Sequence, residues 1–110
     1  ALCDGGAVDG VRLLQPETVA EMLASQQGKG GVTANTPYGL CINRNDTLVE
    51  GKMLYGHQGM SGGIVANVYF DPESRFVFTL ITNGCNNKMD NHVCGIARKL
   101  LTVLWNEYGE

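Results

Sequence analysis

The residues best suited to chemistry stand in one glycine-rich segment, residues 56–63, which reads GHQGMSGG. A histidine such as His57 can donate, accept or carry a proton near neutral pH. Glycines lack Cβ, so another molecule can approach their backbone closely, or the backbone can adopt a positive φ. A strongly apolar run, residues 64–70, follows directly. This combination predicts a place where a polar group of a ligand lies against backbone and beside His57.

Serine nucleophiles need a neighbouring group that takes their proton, and few arrangements in this sequence supply one. Residues 59–63 match the Gly-x-Ser-x-Gly elbow of α/β-hydrolases around Ser61, but that elbow must lead into a helix. Alternating β-branched residues follow instead and indicate a strand. The other arrangement, Ser-x-x-Lys, is absent, because none of Ser25, Ser61 and Ser74 has a lysine three residues later. The sequence therefore predicts no serine nucleophile within the chain.

Four cysteines and two histidines leave several interpretations open. No two cysteines have the Cys-x-x-Cys spacing, so free thiols are the favoured interpretation. A Cys85–Cys94 disulfide would close a short loop, and Cys85, His92 and Cys94 together would offer zinc three ligands without a clear fourth. A catalytic pair of a cysteine with His57 or His92 also stays open. We expect neither a metal nor a cofactor.

A β-hairpin is the most secure element next to the glycine-rich segment. Apolar residues alternate with period two over about 62–70 and again over about 75–83. Between them, residues 71–74 (DPES) have proline at the second position of a turn, whose two carboxylates we expect to be solvated. Weaker alternation predicts further strands at about 38–44 and 48–56. Together these segments predict an antiparallel sheet of about four strands.

Two helices are predicted beside this sheet. The first covers about 16–26 and has Pro16 at its first position. The second covers about 89–107, with Asp90 or Asn91 as its cap. Eight apolar residues of the second helix fall on one stripe at helical spacing and are expected to pack in the core. They are Met89, Val93, Ile96, Ala97, Leu100, Leu101, Leu104 and Tyr108.

The composition, 44% hydrophobic and 17% charged, is that of a globular protein, and 110 residues suffice for one domain. The predicted helices and antiparallel strands make this domain α+β. The net charge of −3 is spread along the chain, without the basic patch that nucleic-acid binding requires. No apolar run reaches the roughly 18 residues that cross a bilayer. One helix covers one face of the predicted sheet, so we expect further chain or another subunit on the other face. The start at Ala1, without an initiator Met or a leader pattern, is interpreted as a cut within a longer protein.

A series of short motifs runs in a fixed order along nearly the whole chain. They are GG at 5–6, DGVRLLQPETV at 9–19, YGL at 38–40, GHQG at 56–59, GG at 62–63, DPE at 71–73 and TN at 82–83. In this order they resemble the C-terminal third of the serine β-lactamase-related hydrolases. That family includes class C-type β-lactamases, penicillin-binding DD-peptidases and related esterases. The resemblance implies a partial β-lactamase-like fold.

Three motifs build the site in that family: Ser-x-x-Lys, Tyr-x-Asn, and Lys-Thr-Gly or His-x-Gly on a strand. This sequence has only the third, as His57-Gln58-Gly59. The resemblance implies that Gly59 lets the substrate lie against backbone and that the N–H of Met60 is a donor of the oxyanion hole. It also implies that His57 binds or orients the polar end of the substrate or the catalytic tyrosine.

Two hypotheses from different classes follow. The first is the C-terminal part of a serine hydrolase acting on a D-amino-acid peptide, a β-lactam or an ester. That part would be inactive alone and would be completed by the missing N-terminal part or by a second copy, outside the cytoplasmic membrane as the resemblance implies. The alternative is a non-catalytic association module that dimerises or binds a partner through its open sheet.

Overall fold

The computed structural model shows an α+β fold with an antiparallel sheet and two helices, as the sequence predicted. The structure describes residues 1–26, 38–84, 88–90 and 93–109. Its N-terminal part has a short hairpin of β1 (Ala7–Val8) and β2 (Val11–Arg12), followed by helix α1 (Pro16–Leu23). Helix α1 begins at the predicted Pro16 and ends earlier than predicted. Its one buried residue is Val19.

The main sheet is an antiparallel meander in the order β3-β4-β5-β6. Its strands are β3 (Asn43–Asn45), β4 (Leu54–Ser61), β5 (Ile64–Asp71) and β6 (Phe76–Asn83). The predicted hairpin of 62–70 with 75–83 is confirmed as β5 paired with β6. The strands expected at 38–44 and 48–56 were misplaced: β3 is only three residues long, and turns and bends fill 46–51.

The glycine-rich segment is itself a strand, because β4 extends to Ser61. Gly62 (φ 55°) and Gly63 (φ 84°) then reverse the chain, and Ser61 pairs directly with Ile64. Two positive φ values in a two-residue loop define a type I′ turn, whose twist matches that of the flanking strands. The predicted strand began at residue 62, whereas in the structure these two glycines form the turn.

The core lies on one face of the sheet, beneath the C-terminal helix. Tyr69 is 1% exposed, and its hydroxyl donates to Oδ1 of Asn43 over 3.2 Å. Burial raises the pKa of Tyr69 to about 12, so the hydroxyl stays protonated and can donate. The cluster of buried residues consists of Leu48, Leu54, Val65, Tyr69, Phe78, Val93, Cys94, Ala97 and Leu101.

The C-terminal helix starts later than the sequence predicted. Met89–Asp90 (β7) pairs with Val93–Cys94 (β8), and α2 covers Gly95–Tyr108. The expected cap at Asp90 is therefore wrong, and Asn91 lies outside the described residues. Cys94 occupies the cap position, and its side chain does not cap the helix. Tertiary contacts replace that cap, since the side chain of Gln58 accepts the N–H of Cys94 and the N–H of Gly95 donates to the Lys88 carbonyl.

The predicted core stripe of α2 is only partly buried. Val93, Ala97 and Leu101 are each 1% exposed. Three stripe residues on one side of the helix, which we term the α2 flank, remain uncovered by the described chain: Ile96, Leu100 and Leu104, at 42%, 38% and 38% exposure. An apolar stripe of eight residues is wider than the side of a helix that contacts one sheet, so the α2 flank lies outside the core.

The second face of the main sheet is open, as predicted, in the part of the chain that the structure describes. We term this surface the open face and define it by Ile64, Val68, Val77 and Ile81, whose exposure is between 42% and 73%. Phe70 on the same face is buried, and the ring of its cross-strand neighbour Tyr55 lies at a centroid distance of 6.0 Å. Neither helix in the described ranges has the length and apolar character that crossing a bilayer requires.

Candidate functional site

His57 is held on both sides by hydrogen bonds. Its Nδ1 lies 2.7 Å from the carbonyl oxygen of Gln58, and its Nε2 lies 3.1 Å from the hydroxyl oxygen of Tyr38. A carbonyl oxygen can only accept, so Nδ1 carries the proton, and in the neutral ring Nε2 accepts from Tyr38. The two rings meet edge to face at a centroid distance of 5.8 Å. These contacts select one tautomer and one ring orientation.

The edge of β4 next to His57 is open in the described ranges. Strand β3 pairs only with Leu54 to Gly56, so residues 57–61 have no strand beside them on that side. Hydrogen-bonded and non-hydrogen-bonded pairs alternate along an antiparallel ladder, and the tight turn makes Ser61 with Ile64 a hydrogen-bonded pair. The N–H and C=O of Gln58 and Met60 therefore point away from β5, towards the open edge.

Gly59 connects this edge with the open face. A Cβ built on Gly59 would meet no atom within 4 Å, so the space above its Cα is empty of described chain. The space belongs to a depression of about 260 Å³, lined by His57, Gln58, Gly59, Ala66, Asn67, Val68, Thr79 and Ile81. The depression thus has an apolar floor, with the imidazole of His57 at its rim. An apolar group can rest there while a polar group meets the β4 edge.

The side chain of Gln58 points to the opposite face from His57, because successive residues of a strand alternate. Its Oε1 accepts the backbone N–H of Cys94 over 2.6 Å, and its Nε2 lies 3.2 Å from Sδ of Met89. Gln58 was predicted as a site residue. Its side chain ties β4 to β8 and to the start of α2, while its backbone carbonyl lies at the β4 edge, and its role in a site stays a prediction.

The structure brings together three of the four predicted site residues at the β4 edge: the side chain of His57, the bare Cα of Gly59 and the backbone of Met60. Tyr38 was not predicted as a member of this site. Tyr38 is nineteen positions from His57, and such a separation carries no periodic signal. Its only signal was its place in the motif YGL.

Asn67 is a second residue that the sequence did not single out. It lies directly opposite Gln58 in the sheet and is 3% exposed. Neither polar atom of its side chain has a hydrogen-bond partner among the described residues. A buried amide without hydrogen-bond partners lowers the stability of the fold. Asn67 is therefore a destabilising polar residue in β5, next to Gln58 of β4.

The structure bears on some of the alternative sites that the sequence left open, but not on all of them. Ser61 precedes a turn and then strand β5, so the helix that a nucleophile elbow requires is absent there. Cys85 and His92 lie outside the described residues, which leaves the predicted disulfide and zinc site as predictions. Within the described ranges, no group of three or more metal-binding side chains occurs. Cys94 is buried, at 1% exposure.

Asp71 contradicts the expectation that both turn carboxylates are solvated, since it is 3% exposed. Its carboxylate accepts the hydroxyl of Ser74 over 2.8 Å and the backbone N–H groups of Glu73 and Ser74 over 3.0 and 3.3 Å. Burial opposes its ionisation, but these hydrogen bonds and the nearby Lys52 together hold the pKa of Asp71 below its usual value. Asp71 therefore stabilises the turn between β5 and β6.

Comparison with known proteins adds no relative: no family model, no curated protein and no solved structure matches this chain.

Proposed function

We propose that this chain forms one side of the acyl-transfer site of a β-lactamase-related serine hydrolase. The observation that supports this proposal is the open β4 edge. There the His-x-Gly sequence presents an outward-pointing Met60 N–H beside a glycine with free space above it. The proposed substrates are a D-amino-acid peptide, a β-lactam or an ester, and the proposed location is outside the cytoplasmic membrane.

The edge would bind an acyl substrate as a short additional strand. The outward carbonyl of Gln58 has a second lone pair besides the one that His57 uses. With the outward N–H of Met60 it offers one acceptor and one donor to an extended amide. In the tetrahedral intermediate the Met60 N–H would stabilise the negatively charged oxygen. One preorganised donor of this kind contributes about 2.7–4 kcal/mol to transition-state stabilisation. Gly59 permits the close approach that such a hydrogen bond needs.

His57 would orient the polar end of the substrate at the same edge. In the neutral ring, Nδ1 is committed to the Gln58 carbonyl, and Nε2 accepts from Tyr38. Tyr38 therefore holds the imidazole at the rim of the depression, while its own hydroxyl oxygen keeps an accepting lone pair for a substrate N–H or O–H. The pair supplies recognition rather than nucleophilic attack.

The nucleophile and its base would come from other sequence. This chain has no Ser-x-x-Lys and no Tyr-x-Asn, so it holds neither the hydroxyl that attacks nor the lysine that activates it. We propose that a further part of the same protein, or a second copy, supplies them across the β4 edge. That polypeptide would also cover the open face.

Binding of an acyl-D-alanyl-D-alanine peptide to the chain tests the proposal. In ¹⁵N-labelled protein titrated to millimolar peptide, we expect shift changes centred on the amides of Gln58, Gly59 and Met60. The diastereomeric acyl-L-alanyl-L-alanine peptide is the matched control and should give smaller changes. Gly59→Val places a branched side chain in the depression and should abolish the effect. Equal responses to both peptides, or changes centred elsewhere, would contradict the proposal.

A further inference from the structure

The side chain of Gln58 lies between the start of α2 and the thioether of Met89. Its Oε1 accepts the backbone N–H of Cys94 over 2.6 Å. A backbone N–H can only donate, so this contact fixes which end of the Gln58 amide carries the oxygen. The other end, Nε2, donates to Sδ of Met89 over 3.2 Å. Because a thioether sulfur is a weak acceptor, this amide donor has a poor partner.

A second amide with unmatched donors lies beside Gln58. Asn67 of β5 pairs directly with Gln58 of β4. Hydrogen-bonded and non-hydrogen-bonded pairs alternate from Ser61 with Ile64, so this pair is of the second kind, in which side chains lie closer together. Asn67 is 3% exposed, and its Nδ2 has no hydrogen-bond partner among the described residues. Two neighbouring amide groups on one face thus lack a strong acceptor for their N–H groups.

The sulfur of Met89 can be reached by a small oxidant, since Met89 is 43% exposed. A thioether sulfur has two lone pairs, and the Gln58 amide occupies one of them. Addition of oxygen to the other lone pair converts methionine into its sulfoxide, which is polar and chiral. A sulfoxide oxygen is a much stronger hydrogen-bond acceptor than a thioether sulfur. Oxidation would therefore supply the acceptor that the two amides lack.

We propose that Met89 is a site of reversible oxidation, at which hydrogen peroxide forms a sulfoxide that the amides of Gln58 and Asn67 bind. The free lone pair of sulfur attacks one peroxide oxygen, and the S–O bond forms as the O–O bond breaks. The departing hydroxide takes the proton from the transferred oxygen and leaves as water. Sulfur is oxidised and peroxide is reduced. Methionine sulfoxide reductases reverse the change.

Met60 offers a comparison within the same chain. At 45% exposure it is as accessible as Met89, but no hydrogen bond to its sulfur occurs within the described ranges. Both lone pairs of Met60 are therefore equally open to oxidation, whereas one lone pair of Met89 is shielded. Met89 should give mainly one sulfoxide epimer and Met60 should give both. This inference concerns the side chain of Gln58 and does not rest on the proposed function.

Mild oxidation of the chain with hydrogen peroxide, followed by proteolysis and epimer-specific reduction, tests the proposal. The reductases MsrA and MsrB each act on one epimer. We expect one epimer to exceed the other about fivefold in the Met89 peptide, the ratio expected from one net hydrogen bond. The Met60 peptide should be reduced by both enzymes to similar extents. Equal amounts of the two epimers at Met89 overturn the proposal.

Nuclear magnetic resonance of the oxidised protein tests the binding of the sulfoxide directly. The side-chain amide protons of Gln58 and Asn67 should move downfield, because they gain a strong acceptor. These shifts should persist in Met60→Leu and disappear in Met89→Leu, which locates their source. Side-chain amide signals of Gln58 and Asn67 that stay in place after oxidation of Met89 overturn the proposal.

Gln58→Glu tests the role of the amide donor. The carboxylate keeps an oxygen for the N–H of Cys94 and removes the N–H that points at Met89. The epimer excess at Met89 should then fall to the ratio found at Met60. Gln15→Glu, at an exposed position, is the matched control and should keep the excess. An excess retained in Gln58→Glu would show that another contact selects the epimer, and the proposal would be wrong.

Discussion

His57 and Tyr38 form a pair whose proton positions follow from geometry. Since the Gln58 carbonyl can only accept, the short contact at Nδ1 assigns the proton to that nitrogen. Free imidazole has no such constraint. The Nδ1–H tautomer of His57 is therefore set by this fold, and it depends on the Tyr38 hydroxyl at Nε2.

Tyr38→Phe should lower the fraction of the Nδ1–H tautomer of His57 at neutral pH. The substitution removes the hydrogen-bond donor to Nε2 and leaves the ring in place. Long-range ¹H–¹⁵N correlation spectra of the imidazole measure the tautomer directly. Tyr55→Phe, in the same strand as His57, is the control and should leave the tautomer unchanged. An Nε2–H tautomer in the unmodified chain would contradict the assignment.

Asp71→Asn should lower the free energy of unfolding at pH 7 by about 2 kcal/mol, as expected when hydrogen bonds to a charged group are lost. The folded state lowers the pKa of Asp71, so its contribution is present above the unfolded pKa and is lost as the pH falls through the folded pKa. The difference in free energy of unfolding between Asp71→Asn and the unmodified protein should therefore become smaller as the pH falls. Urea unfolding across pH measures it.

Glu73→Gln is the control for this experiment. The side chain of Glu73 is 78% exposed, and exposed ion pairs contribute little to stability. The free energy of unfolding should therefore change little in Glu73→Gln. A difference between Asp71→Asn and the unmodified protein that stays constant down to strongly acidic pH would show that the carboxylate charge is not responsible.

At the scale of elements, β4 contains two glycines with opposite surroundings. A Cβ on Gly56 would lie 1.9 Å from the Val68 carbonyl oxygen and 2.7 Å from Cα of Tyr69. A Cβ on Gly59 would meet no atom within 4 Å. One glycine therefore permits close packing of β4 on β5, whereas the other keeps a surface open.

Gly56→Ala should lower the free energy of unfolding by about 3 kcal/mol, since the added methyl group overlaps backbone that cannot move aside. Gly59→Ala should change it little or raise it by about 0.5 kcal/mol, because alanine loses less conformational entropy on folding. Urea unfolding of both variants measures this contrast between two positions of one strand. Similar losses for both would mean that the Gly59 surface is covered in solution.

The elements that the sequence predicted correctly are those in which local pattern and tertiary structure agree. The β5–β6 hairpin has period-two alternation and a proline-containing turn, and both survive in the fold. The start of α2 was predicted wrongly because its helical spacing continues back to Met89. Pairing of β7 with β8 and the contact from Gln58 override that local preference.

At the scale of the molecule, His57 and Gly59 stood out in the sequence by residue type and spacing, and their role in a site stays a prediction. Tyr38 and the supporting position of Gln58 did not, because both depend on contacts between distant segments. The open face was predictable because the sequence offers one helix to cover the two faces of the sheet. Its apolar residues alternate with the core residues of β5 and β6, and one helix can cover only one side.

The chain alone should form no acyl adduct with benzylpenicillin. The expectation follows from the absence of Ser-x-x-Lys, since no serine of this sequence has the lysine that would activate its hydroxyl. Intact-protein mass spectrometry after incubation measures it, with a penicillin-binding peptidase as the positive control. An added mass equal to one penicilloyl group on any serine would contradict the assignment of the nucleophile to other sequence.

The hydrogen bond from the Cys94 N–H to the side chain of Gln58 connects the β4 edge to the start of α2. The outward N–H of Met60 lies only two residues beyond Gln58 in the same strand. In the proposed complex with a substrate, a displacement of the first turn of α2 would therefore also displace the Met60 N–H that the substrate would meet.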